Sequence, residues 1–183
     1  MITSRTAFAV LIVVLMSACA PSRFYISLAP QPPAAPAVTA VAIPVVVSVE
    51  DARSTPAFGK RGDADLLSNQ DIPTVLRTAL VTNLNQRGYS VRDTADADTV
   101  AITITVRTLT LNAQMTSWNA KVELSARVNK GMSDYRGNYA VEKEGKVVMT
   151  PSVKDSEAWM NETLNEALAK MFSDGNFMRF LAQ

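Results

Sequence analysis

The clearest pattern in the chain is an alternation of apolar residues with small or polar ones in its middle third. Four β-branched residues alternate in this way: Val100, Ile102, Ile104 and Val106. Such alternation is typical of a strand buried on one face. The phase changes by one residue at Leu109, which predicts a β-bulge near Arg107 or Thr108. Two more alternating segments, residues 118–128 and 135–141, follow after short turns and predict an antiparallel meander.

Two other segments repeat apolar residues at helical spacing. The first begins near Asp71, which can cap it, has Pro73 in its first turn and ends at Gly88. The second is predicted over residues 155–172, before a short closing turn, and residues 45–49 predict an early strand. This order predicts an α+β domain with an antiparallel sheet of about four to five strands and two helices packed on one face.

The N-terminus has the layout of an export signal. Arg5 precedes an apolar run, residues 7–16, which leads into Ser17 and Ala18. A run of that length is too short for a transmembrane helix, which needs about 20 residues. We therefore expect residues 1–18 to be a cleaved signal peptide.

Cys19 is the only cysteine in the chain and lies directly after this signal. A lone cysteine cannot form an internal disulfide, so an exported protein needs another use for it. The segment Leu15-Met16-Ser17-Ala18-Cys19 resembles the bacterial lipobox. That resemblance predicts lipidation at Cys19, and the alternative is a free thiol in a secreted protein.

Bacterial lipoproteins, which this N-terminus resembles, carry three acyl chains on the cysteine, and two or more chains anchor a protein stably. Ala20 stands where an aspartate would signal retention in the inner membrane. The resemblance therefore implies an outer-membrane protein, lipid-anchored through Cys19, whose domain faces the periplasm.

Proline and alanine dominate the next segment, so residues 19–44 are predicted to be the lipidated N-terminus and a tether. Within it, residues 24–28 are apolar enough for a short strand, a patch lying on the membrane or an edge segment packed on the domain. Residues 45–183 are predicted to form a single domain, since their number suits one core.

The charge balance excludes one class of partner. The chain has 18 basic and 17 acidic residues, and the signal peptide contains only Arg5 among them. A neutral mature chain lacks the electrostatic footprint that nucleic acid requires. No nucleic-acid partner is expected.

Few residue types suited to catalysis are present. The chain has no histidine, the commonest general base near neutral pH and the commonest zinc ligand. Asp93, Asp96 and Asp98 lack the glycine and distal glutamate of a calcium loop, so a solvated turn is predicted. We expect no enzyme activity, no cofactor and no metal site.

Residues 50–70, which lie between the first predicted strand and the first predicted helix, form the candidate binding surface. Loops of that length inside a compact domain are uncommon and tend to be functional or disordered. Asp51 and Arg53 could pair across its start, Phe58 could pin it or contact a partner, and Arg61 lies farther along. These four residues are the candidate partner-binding site, and the alternative is a tolerated insertion.

Tyr135 and Tyr139 share one strand face and are predicted to be a cross-strand aromatic pair rather than a binding site. Trp118 and Trp159 are predicted to lie in the core.

In order and spacing these features resemble the YajG family of bacterial lipoproteins. The resemblance is carried by Cys19, by Val49-Glu50-Asp51-Ala52-Arg53, by the helix end at residues 85–91 and by residues 135–142 before a terminal helix. It implies an envelope lipoprotein with no established enzyme activity, and it supplies no catalytic residues. A non-catalytic interaction domain that binds another envelope protein is the leading hypothesis.

A second resemblance covers only the segment from Cys19 to Leu28, where an aromatic pair follows the cysteine. It is similar to the start of auxiliary lipoproteins of ABC-type lipid transporters. The alternative hypothesis is therefore an accessory of lipid transport.

Overall fold

The computed structural model describes residues 22–34, 43–96 and 98–182. Cys19, the predicted signal peptide and residues 35–42 of the predicted tether lie outside them. The described chain contains these elements in order: β1 (Arg23–Ile26), β2 (Pro44–Asp51), β3 (Gly59–Arg61), β4 (Ala64–Ser68), α1 (Ile72–Gln86), β5 (Ser90–Arg92), β6 (Val100–Ala113), β7 (Ser117–Lys130), β8 (Ser133–Lys146), α2 (Val153–Ser173) and α3 (Gly175–Leu181).

The strand β6 organises the sheet. One edge of β6 pairs with β7 in antiparallel orientation along its length, and β8 continues this meander. On its other edge, the first half of β6 pairs in parallel with β2, and its last three residues pair in parallel with β3. Next to β2 lies β5, and β4 and β1 lie beyond β3. The register shifts between Val106 and Thr108, where the bulge was predicted.

The α+β class and the meander are confirmed, but the prediction of a plain antiparallel sheet with four to five strands and two helices is wrong. The described chain forms a mixed sheet of eight strands with three helices. The main reason is that β2 and β6 run parallel, which requires a crossover connection, and α1 lies in that crossover. Three short strands, β1, β3 and β4, extend the sheet further.

Side-chain caps set the helix ends. Asp71 accepts a hydrogen bond from the Thr74 amide at 3.0 Å and so caps α1, as predicted. Ser152 and Asp155 form a capping box at the start of α2. The helix begins at Val153, two residues before the predicted start. Asp174 caps α3, so the predicted closing turn is a helix.

The inward-facing residues of the sheet and the apolar faces of the helices form one buried cluster. In β6 and β7 the buried positions alternate on either side of the bulge, which matches a sheet covered on one face. Trp118 and Trp159 pack at the margin of this cluster, as partly buried residues. The outward residues of the same strands are mostly polar, and they form the open face described below.

Candidate functional site

The predicted partner-binding loop is part of the sheet. Phe58 is 0% exposed and lies in the core. Its amide donates to Leu66 O at 2.7 Å, and its carbonyl accepts from the Leu111 amide at 2.8 Å. Phe58 therefore pins the segment between β2 and β3, and the structure contradicts a role for its side chain in direct partner contact.

Asp51 and Arg53 form the ion pair suggested by the sequence. The Nε and Nη2 atoms of Arg53 donate to the two carboxylate oxygens of Asp51 at 2.9 and 2.8 Å. These hydrogen bonds from Arg53 lower the pKa of Asp51, against a smaller opposing effect of burial. The Arg53 guanidinium lies over the Phe58 ring, 5.1 Å from its centroid. Asp51, Arg53 and Phe58 are thus brought together, with the ion pair covering the buried ring.

Arg61 lies at the far end of β3 and does not contact the cluster of Asp51, Arg53 and Phe58. Its Nε atom donates to the Pro151 carbonyl at 2.5 Å, and its guanidinium lies over the Phe24 ring at 4.5 Å. Arg61 therefore ties β1 and β3 to the loop before α2. Its guanidinium is engaged within the domain rather than presented to a partner.

The first described segment is held on the domain instead of forming a free tether. Alternate amides of Ser27, Ala29 and Gln31 donate to side chains of α2. The acceptors are Glu157 Oε1 at 2.6 Å, Asn161 Oδ1 at 2.7 Å and Asn165 Oδ1 at 2.6 Å. An extended chain advances about 6.6–6.8 Å in two residues and a helix about 6.0 Å in four, so the two spacings match.

Residues 27–34 are called the strap below. Asn161 also donates to Ser27 O at 3.1 Å, and Asn83 of α1 donates to Pro33 O at 3.0 Å. The strap therefore runs between α1 and α2. The tether prediction is corrected for residues 22–34, because residues 23–26 pair with β4 and side chains of both helices hydrogen-bond to the backbone of the strap.

A groove of about 510 Å³ separates the strap from α1. Its walls combine apolar residues of the strap with one face of the helix. Residues that line it include Leu28, Pro30, Pro32, Val75, Thr78, Ala79 and Thr82. A groove of this size and composition can accept an apolar ligand.

The open face is formed by the outward residues of β2, β6, β7 and β8. A second depression, about 490 Å³ in volume, lies on it and is lined by polar groups. These include Glu50, Thr103, Thr105, Arg107, Arg127, Arg136 and Asn138. Nε atoms of Arg127 and Arg136 donate to the two oxygens of Asp134 at 3.1 and 2.9 Å. These two arginines, Arg136 first, lower the pKa of Asp134.

Tyr135 and Tyr139 share one face of β8, as predicted, but they are not a cross-strand aromatic pair, because their partners on β7 are Val128 and Leu124. Their hydroxyl oxygens are 3.0 Å apart, and both hydroxyls donate to Asp174 Oδ2, at 2.5 and 2.9 Å. This cluster joins β8 to the cap of α3. Within the ranges that the structure describes, no group of three or more Asp, Glu, Cys or His residues is placed to hold a metal ion.

The family model described as "Uncharacterized lipoprotein" matches residues 30–182. The chain belongs to this family. No curated protein matches the lipoprotein in sequence. Among residues 22–34, 43–96 and 98–182, no helix combines the length and apolar character that crossing a membrane requires. The narrower YajG resemblance stays a prediction.

Solved structures with TM-scores above 0.5 share the fold of this lipoprotein at low sequence identity. The protein XCC0632 from Xanthomonas campestris, from the family DUF330, has 13% identity and a TM-score of 0.54 over 82% of this chain and 92% of its own. An uncharacterized protein has 14% identity and a TM-score of 0.55 over 88% of this chain and 99% of its own. Lipoprotein GNA1162 from Neisseria meningitidis has 10% identity and a TM-score of 0.41 over 73% of this chain and 100% of its own.

Sequence reasoning missed the residues of the lipoprotein that bind the strap. Glu157, Asn161 and Asn165 recur every four residues and so share one side of α2. A row of hydrogen-bonding side chains beside the apolar face of α2 could have indicated that a chain segment binds there. Its partner, however, lies about 130 positions earlier in the chain.

Proposed function

We propose that the protein is anchored by lipid on Cys19 in the outer membrane, with its domain in the periplasm. Membership of a lipoprotein family supports an anchor, and the lipobox-like segment ending at Cys19 gives its place. The finer choice of membrane rests on Ala20.

Mass spectrometry of the mature protein tests the anchor. We expect an N-terminus at Cys19 that carries acyl chains. A Cys19→Ser protein that is still processed and still sediments with membranes would refute the proposal. Membrane fractionation tests the location, because Ala20→Asp should move the protein from outer to inner membrane fractions.

Within the envelope, the proposed role is a non-catalytic domain that binds another envelope protein. The observation that carries this role is the open face, where three strands of 14 residues present polar side chains away from the core. Arg107, Arg127 and Arg136 lie on this face and can provide directed hydrogen bonds to a partner. This surface replaces the segment around Phe58, which is buried.

In-cell crosslinking from Asn138, an exposed residue of the open face, tests this role. We expect capture of one envelope protein, and loss of that capture when Arg136→Glu is added. Arg179→Glu, an exposed charge reversal on α3, is the matched control and should preserve capture. Capture from Glu162 on α2 without capture from Asn138 would refute the placement.

An accessory of ABC-type lipid transport is the second candidate, and the groove between the strap and α1 favours it. Its volume of about 510 Å³ lies within the usual range for small-molecule sites. Native mass spectrometry of the mature protein after exposure to envelope phospholipids should then show a bound phospholipid. Ala79→Trp should abolish this binding by filling the groove, whereas Thr55→Trp should leave it unchanged. A lipid-free spectrum for the unaltered protein would reject this candidate.

A further inference from the structure

Two loops at one end of the sheet lie side by side. Residues 114–116 join β6 to β7, and residues 147–152 join β8 to α2. Ser117 pairs with Lys146, and the Val147 amide donates to Thr116 O at 3.0 Å. The two loops therefore form one continuous rim.

Three large apolar side chains of this rim are exposed to solvent. Met115 is 69% exposed, Val148 98% and Met149 70%. We call these three residues the apolar rim. Clustered exposed apolar side chains are unfavourable in water and mark surfaces that bind a protein or a membrane.

The same end of the sheet receives the chain from the N-terminus. Ser22 O accepts a hydrogen bond from the Asp65 amide at 3.0 Å, and Arg23 pairs with Asp65. The turn at residues 62–63 joins β4 to Arg61 at the end of β3, and Arg61 pairs with Ala113 at the end of β6. Arg61 also donates to Pro151 at 2.5 Å. Ser22 and the apolar rim therefore lie at one end of the domain.

Covalent geometry then limits the distance to the anchor. Three Cα-to-Cα steps lead from Cys19 to Ser22, and an extended chain spans at most about 3.3–3.6 Å per residue. The two Cα atoms are therefore no more than about 11 Å apart. Acyl chains on Cys19 lie in the bilayer, so the end of the sheet that carries the apolar rim is held close to the membrane surface.

We propose that the apolar rim of Met115, Val148 and Met149 inserts into the lipid surface to which Cys19 is attached. This inference rests on the proposed lipid anchor. The contact depends on apolar side chains rather than on charge. Basic and acidic residues both occur near the apolar rim, among them Lys146, Lys154 and Asp155, so charge of one sign does not direct it to the membrane. It fixes the orientation of the domain, with the hairpin between β7 and β8 pointing away from the membrane.

The chain provides an internal control for this contact. Met132 is 106% exposed, but it lies in the β7–β8 hairpin, at the opposite end of those strands from residues 117 and 146. Because Cys19 is the only native cysteine and lipidation occupies its thiol, an introduced cysteine is the single site for a thiol-specific label.

The experiment uses the mature lipidated protein in phosphatidylcholine vesicles, with an environment-sensitive fluorophore on Val148→Cys or Met132→Cys. We expect the emission of the Val148→Cys label to shift to the blue and to resist quenching by aqueous iodide. The Met132→Cys label should show neither change. The double variant Met115→Asp/Met149→Asp should reverse both effects at Val148→Cys, and since both side chains are exposed, its circular dichroism should be unchanged.

Equal iodide quenching of the two labels, with one labelled thiol per chain, would overturn the insertion while leaving the anchor intact. Two labelled thiols per chain would overturn the lipid anchor and, with it, this inference. Protection of the Val148→Cys label only after addition of other envelope proteins would also overturn it, in favour of a protein partner at the apolar rim. Insertion into vesicles that contain only phosphatidylcholine is the result that supports the proposal.

Discussion

Trp118 and Trp159 stack face to face, with ring centroids 4.5 Å apart and ring planes inclined by only 6°. The first belongs to β7 and the second to α2, so the stack attaches the helix to the sheet. Gly145 of β8 lies opposite Trp118, and a Cβ atom there would be 2.5 Å from Nε1 of the Trp118 indole. The absent side chain at Gly145 therefore leaves the space that the stack occupies.

Gly145→Ala should disrupt this stack. The added methyl group forces the Trp118 ring to move, and an aromatic pair contributes about 0.5–1.5 kcal/mol beyond its buried area. We expect a lower free energy of unfolding in urea together with a change in the near-ultraviolet circular dichroism. Glu144→Ala, at the exposed neighbouring position, is the control. An unchanged near-ultraviolet spectrum in Gly145→Ala would contradict the prediction.

Protonation of the Asp174 carboxylate should make the free energy of unfolding depend on pH in the acidic range. Hydrogen bonds, with that from Tyr135 the largest, hold the pKa of Asp174 below its ordinary value of 3.8. A carboxyl whose folded pKa is lowered stabilises the fold above the unfolded value and loses this contribution as pH falls through the folded value. The stabilisation is therefore present at neutral pH and is lost below about pH 4.

Urea unfolding of Asp174→Asn checks this sign. The difference in free energy of unfolding between the native protein and Asp174→Asn should be large at neutral pH and shrink as pH falls below about 4. Asp63→Asn, in an exposed turn, controls for the loss of one negative charge. A difference that is independent of pH would contradict the assignment to the Asp174 carboxylate.

Phe58→Ala should destabilise the domain rather than remove a binding contact. The side chain is fully buried, and truncation of a buried phenylalanine costs about 3–5 kcal/mol. The loss also removes the surface on which Arg53 lies. Urea unfolding against Thr55→Ala, an exposed neighbour, provides the measurement. Equal stability of the two variants would mean that Phe58 is not a core residue.

The periodicity of apolar residues along the chain made the largest elements predictable. The alternation in β6 and β7 gave both strands and the bulge after Val106, and Asp71 with Pro73 gave the start of α1. These features depend on local sequence, because burial on one face repeats every two residues in a strand. The confirmed part of the fold is the part that such local patterns determine.

The strands β3 and β4 depend on distant partners, and so the sequence pattern did not reveal them. Gly59-Lys60-Arg61 has no apolar alternation, yet it forms β3 because β4 pairs with one edge and the end of β6 with the other. Gly59 has φ +143°, and a Cβ atom there would be 2.4 Å from Leu111 O, so the pairing requires glycine. The candidate partner-binding site treated this segment as a loop for the same reason, whereas Phe58 is buried and residues 59–61 form β3.

Removal of divalent metal should leave stability unchanged. Two carboxylates of the acidic run form ion pairs, Asp93 with Arg77 at 2.8 Å and Asp96 with Arg92 at 3.0 Å. The guanidinium groups of Arg77 and Arg92 therefore balance the charges of these two carboxylates without a metal ion. Unfolding midpoints measured with and without a chelator should coincide. A lower midpoint in chelator would show that the acidic run binds a metal ion.

The strap should detach when its acceptors on α2 are removed. Its prolines leave the chain extended without hydrogen bonds of its own, which frees the amides of Ala29 and Gln31 for Asn161 and Asn165. Asn161→Ala/Asn165→Ala leaves both amides open to solvent, and each lost hydrogen bond should cost about 0.5–1.5 kcal/mol. Hydrogen exchange should accelerate at Ala29 and Gln31, while the amides of β6 stay protected.

Glu162→Ala is the matched control for the strap, because Glu162 lies next to Asn161 on the same helix but binds Lys143 of β8 at 2.7 Å. This variant should leave exchange in the strap unchanged. Detachment should also open one wall of the groove, so phospholipid binding there, if present in the unaltered protein, should be lost in the double variant alone. Slow exchange at Ala29 and Gln31 in the double variant would show that packing of Leu28, rather than the asparagine row, holds the strap.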